Sequence, residues 1–113
     1  MELNNAIRSQ LSKIAFHYGF TNQADMLTEE AAEYTVALNK FRRGKPNAYK
    51  SIKEEVADVL VVALQLRELL GDKEIDKIIK EKIDRQLRRI EEEKKNGSEN
   101  TGKSLCNLWK HNS

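Results

Sequence analysis

Apolar residues recur along this chain at helical spacing in four blocks, with no alternation of the strand kind. Leu3, Ile7, Leu11, Ile14 and Tyr18 share one stripe, which Gly19 ends. Ala24, Leu27, Ala31, Tyr34, Leu38 and Phe41 form a second, opened by an N-cap at Thr21 or Asn22 and closed by Gly44 and Pro46. The third places Ile52, Val56, Val59, Ala63, Leu66 and Leu70 together, behind a capping box at Ser51 and Glu54. Gly71 stops it, and Asp72 can cap a fourth helix carrying Ile75, Ile79, Ile83, Leu87 and Ile90. That helix gives way to Glu91, Glu92, Glu93, Lys94 and Lys95 and the turn pair Asn96-Gly97. Four stripes with short connections predict an all-α fold, a four-helix bundle over residues 1–95, followed by a polar tail over 96–113.

Two acidic phrases interrupt this pattern, Glu29-Glu30-Ala31-Ala32-Glu33 and Glu54-Glu55-Val56-Ala57-Asp58, each running straight into an apolar stretch. At about 100° per residue, Glu30 and Glu33 lie roughly 60° and 120° to one side of the second stripe. Glu55 and Asp58 repeat those offsets on the third. A short loop favours antiparallel neighbours, so the two pairs converge at one side of the helix interface. Carboxylates crowded beside a core lose hydration and repel one another, and a hard divalent cation reverses both effects. Oxygen-only ligation suits magnesium, or manganese, whereas a di-iron bundle adds Glu-x-x-His motifs that this chain lacks. Glu29 and Glu54 point away from the stripes and are expected in solvent or behind the ligands. Taken singly, any of these acids is an ordinary helical surface charge; the matched pair of pairs is what favours a metal site.

On the fourth helix Lys82, Arg85 and Arg89 share one edge, a cationic rail suited to phosphate oxygens, although such a rail also serves simply to solvate a helix. The formal charge of +2, from 20 basic and 18 acidic residues interspersed, excludes a strongly basic nucleic-acid binder. No leading apolar segment resembles a signal peptide, and no apolar run approaches the roughly 20 residues of a membrane helix, so a cytoplasmic protein is expected. The single Cys106 offers neither disulfide nor zinc site, and His17 and His111 have no ligand partner in the sequence. His17 is expected to be structural or to border a base pocket.

The pattern Glu30-x-x-Glu33, 21 intervening residues, then Glu55-x-x-Asp58 resembles the all-α nucleoside triphosphate pyrophosphohydrolases of the MazG type. The lead-in Tyr18-Gly19-Phe20-Thr21-Asn22-Gln23 and the basic segment from Lys82 to Ile90 are similar to that family as well, so the resemblance spans residues 3 to 93. Tyr18 stands where many relatives carry Trp. The resemblance implies magnesium-dependent cleavage between the α and β phosphates of a (d)NTP, giving a monophosphate and pyrophosphate, as in nucleotide-pool cleansing. It implies that Glu30, Glu33, Glu55 and Asp58 are metal ligands and catalytic groups, that Lys82, Arg85 and Arg89 steady the pyrophosphate, and that Tyr18 and Gln23 meet the base. A homodimer or homotetramer is expected, from relatives of this kind and from apolar residues such as Val61, Val62 and Leu64 beyond the main stripe.

Alternatives are a phosphoribosyl-ATP pyrophosphohydrolase and a non-catalytic helical interaction protein. Residues 97–104, Gly-Ser-Glu-Asn-Thr-Gly-Lys-Ser, match the P-loop string, but a charged helix precedes them and only nine residues follow, which is no βαβ setting.

Overall fold

The computed structural model describes residues 3–97 as four helices, with no strand among them. These are α1 (Asn5–Tyr18), α2 (Phe20–Arg42), α3 (Ala48–Leu70) and α4 (Asp72–Lys95). The chain divides into two compact units, Met1–Ile75 and Asp76–Ser113. The P-loop-like string after Gly97, Cys106 and His111 lie outside the described residues.

Several helix ends differ from the expectation, each for a local reason. Asn4 opens α1, its side chain accepting a hydrogen bond from the Ile7 amide at 2.9 Å. A single residue, Gly19, then separates α1 from α2: its amide donates to the Ala15 carbonyl and its own carbonyl accepts from the Gln23 amide. With φ +84° and ψ 168° it occupies a region only glycine enters freely, so the chain turns there without a loop. Thr21 and Asn22 are therefore inside α2 rather than capping it, and the Asn22 side chain donates to the Tyr18 carbonyl. Similarly α3 begins at Ala48 behind Asn47, whose φ of 61° is left-handed, so Ser51 is not a cap. Its hydroxyl donates back to the Asn47 carbonyl, and Glu54 pairs with Lys50 at 4.0 Å instead of closing a capping box. Asp72 is the first residue of α4, one position inside the expected cap, and binds Arg8 of α1 at 2.5 Å. The acid-rich run through Lys95 stays helical.

In the first unit α2 and α3 lie antiparallel: Gln23 near the start of α2 hydrogen-bonds Gln65 near the end of α3, while Lys40 and Ser51 share a groove at the opposite end. Helix α1 packs on both. The seam on α2 follows Gln23, Leu27, Glu30, Tyr34 and Ala37; that on α3 follows Ala48, Ile52, Glu55, Val59, Val62 and Leu66, all buried or half-buried. Both repeat at spacings of three and four, and both pass through a glutamate. The predicted stripes were thus rotated away from the acids. Val56 and Leu70 are exposed, as are Ala31 and Phe41, whereas Val62, expected outside the stripe, is buried. Apolar residues alone mark too wide an arc on α3 to decide between Val56 and Glu55 as the seam position. Small residues at the seam, Ala15, Ala37 and Ala48, let the backbones approach closely.

The second unit is described by α4 from Asp76 onward, which carries an ion pair between Lys80 and Asp84 at 2.8 Å. Its apolar stripe has the expected period, but Ile79, Ile83 and Leu87 remain about half exposed in the single chain. No described helix is long and apolar enough to cross a membrane.

Candidate metal centre

Because the seams of α2 and α3 each contain a glutamate at matching heights, Glu30 and Glu55 are drawn between the helices, with Glu33 and Asp58 at the rim. One carboxylate oxygen from each of the four lies within 4.8 Å of the others. No ion pair within the described residues neutralises these acids. The Oε2 atoms of Glu30 and Glu55 are shielded from solvent and have no hydrogen-bond partner. An oxygen so placed has lost water without replacement, the costly condition for a polar group.

The electrostatics follow from that placement. Burial raises the pKa of Glu30 above its ordinary 4.5, and the charges of Glu33, Asp58 and Glu55 push it the same way. Glu55 is raised likewise, by burial first and then by Glu33, Asp58 and Glu54. Like charges crowded at a seam favour either protons or a cation. The set is all oxygen, with two inner carboxylates half-buried at the seam and two outer ones open to solvent, a set of donors that could hold a hard divalent ion such as magnesium or manganese.

The remaining sequence candidates fall in two places. Tyr18 and Gln23 line one cavity of about 600 Å³ beside the α1–α2 joint, together with Asn22, Asp25, Met26 and Glu29. Tyr18 is exposed and meets the His17 ring edge-on at 4.7 Å. Gln23 is buried, and its amide nitrogen donates to the equally buried Gln65. Lys82 and Arg85 are exposed and Arg89 half-buried on α4 in the second unit.

Two residues that the sequence reading passed over also border the centre. Lys40 and Ser51 line a groove of about 300 Å³ that contains Glu33 and Glu55. Lys40 lies seven residues after Glu33 and Ser51 seven before Asp58, so the heptad spacing that puts each on its acid's face was present in the sequence. No family model matches the chain, and no curated protein or solved structure matches it either.

Proposed function

We propose that this chain is a divalent-cation-dependent nucleoside triphosphate pyrophosphohydrolase of the MazG type, cleaving the bond between the α and β phosphates of (d)NTPs. The observation that carries the proposal is the convergence of Glu30, Glu33, Glu55 and Asp58 from two antiparallel helices, with two buried carboxylate oxygens left without partners. The resemblance of the acidic pattern to that family supplies the reaction. Glu30, Glu33, Glu55 and Asp58 would hold magnesium or manganese, which when bound supplies charge neutralisation for phosphate oxygens and a water of lowered pKa.

The chain's own groups divide the remaining work. Glu30 and Glu55 are set by the seam and give the centre a fixed inner wall. Glu33 and Asp58 are at the solvent rim and would meet an arriving phosphate chain first. Glu30 or Glu33 orients the attacking water and takes its proton as the water oxygen bonds to the α-phosphorus. The bond from that phosphorus to the bridging oxygen breaks, and pyrophosphate leaves with the electron pair. The cavity bordered by Tyr18 and Gln23 is the proposed site for the base, its aromatic ring offering a stacking face. Half-exposed apolar side chains on α3 and α4, Leu60, Val61 and Ile83 among them, support a homo-oligomer.

A magnesium-supplemented panel of common and modified nucleotides, followed by pyrophosphate release, tests the proposal. Wild-type protein should release pyrophosphate, and Glu33→Gln or Asp58→Asn should reduce the rate by at least about a hundredfold while the helical circular dichroism stays unchanged. Full activity in either variant would refute the ligand assignment.

A further inference from the structure

Within Met1–Ile75 the acid centre opens into a groove that ends in a cation. The groove between α2 and α3 runs from Glu33 and Glu55 over Val36 and the buried Ala37 to Lys40 and Ser51. Seven residues of helix put the Lys40 backbone about 10 Å along the axis from that of Glu33, a span an extended triphosphate and a lysine arm cover together. Lys40 forms no ion pair with any described residue, although Lys50 on α3 is paired with Glu54 and Lys53 sits 4.8 Å over the Tyr49 ring. The small side chains flooring the groove leave its width free. An acidic cluster at one end and an unpaired ammonium at the other make the groove polar in one direction, which suits a chain of phosphates bridged to the acids by a cation.

We infer that Lys40, aided by the Ser51 hydroxyl, holds the terminal phosphate of a polyphosphate substrate and so sets which anhydride lies against the acid centre. This rests on the proposed cation-dependent hydrolase reading. A substrate lacking the terminal phosphate leaves Lys40 without a contact, so Lys40 distinguishes triphosphates from shorter chains. Lys40 is a binding and positioning residue; the bonds that form and break are those at the acids.

Calorimetric titration of the full chain in magnesium, with inorganic triphosphate and orthophosphate as probes, decides it. Lys40→Met should weaken triphosphate binding by about tenfold or more, the loss expected for one charge-assisted contact, with little change for orthophosphate. Lys40→Arg should restore most of it, and Lys45→Met, a cation outside the groove, should change nothing. Equal triphosphate affinity in wild type and Lys40→Met overturns the inference, as does wild type that fails to bind triphosphate. Magnesium titrated alone separates the two levels: wild type that binds magnesium while Lys40→Met binds triphosphate normally sinks only the role of Lys40. Wild type that binds no magnesium sinks the acid centre beneath it.

Discussion

At the scale of single residues, Glu30 and Glu55 are the unusual ones. A glutamate at a helix seam holds its proton to higher pH than one in solvent, and both are raised above 4.5 for that reason. In the metal-free protein the folded state therefore binds more protons than the unfolded state once pH exceeds that ordinary value. Stability falls as pH rises through the window, and the cost is fully present above the raised pKa. Glu55→Gln keeps the shape and removes one of these ionisations. Melting curves in chelator should show the variant gaining over wild type as pH rises from about 4.5 to 8, with the gap closing on acidification. A gap that does not vary with pH would mean that Glu55 titrates as a solvated side chain. The four acids and their approximate faces were legible in the sequence, because duplicated acids beside apolar runs are visible in one dimension. The offsets of about 60° and 120° already set Glu30 and Glu55 nearer the apolar stripes than Glu33 and Asp58, as in the structure. That those two glutamates lie in the seam itself was not legible, because it depends on the rotation of α3 that buries Val62 in place of Val56. The buried pair Gln23 and Gln65 was hidden for the same reason, since either glutamine alone reads as a surface residue.

At the scale of elements, helix existence followed from periodicity, while the helix ends followed from backbone geometry that composition only hints at. Gly19 was readable as a stop, but not as the whole connection between two helices. Its φ of +84° with an extended ψ is what allows α2 to start at Phe20, and that start fixes the phase of every later residue on α2, the acids included. An added Cβ at Gly19 would meet nothing within 4 Å, so Gly19→Ala isolates backbone strain from packing. Chemical denaturation should show a loss of about 1–3 kcal/mol for this variant. An unchanged midpoint would mean that the joint relaxes into another conformation at no cost. Ser51 shows the opposite case, where a capping-box spelling is overridden. Asn47 accepts the left-handed conformation at the loop end, so the helix begins earlier and Ser51 turns its side chain to the wall of the groove.

At the scale of the whole molecule, the first unit joins α1, α2 and α3 around a core of few large residues, and that economy places acids where leucines would otherwise sit. A seam with glutamates in two positions is poorly stabilised by apolar burial alone, and a ligand that binds only the folded state adds stability by mass action. The all-helical class was readable from the four stripes. The amount of apolar side chain left half exposed on α3 and α4 was not, because a periodic stripe records that a face is apolar without recording what covers it. The central claim is that four carboxylates from α2 and α3 form one divalent-cation site. Isothermal titration of magnesium into chelator-stripped protein near neutral pH tests it most directly, with Asp58→Asn as the paired sample. Saturable binding in wild type, weakened by about tenfold or more in Asp58→Asn with the fold intact, is the predicted result. Equal binding in both, or none in wild type, would contradict it.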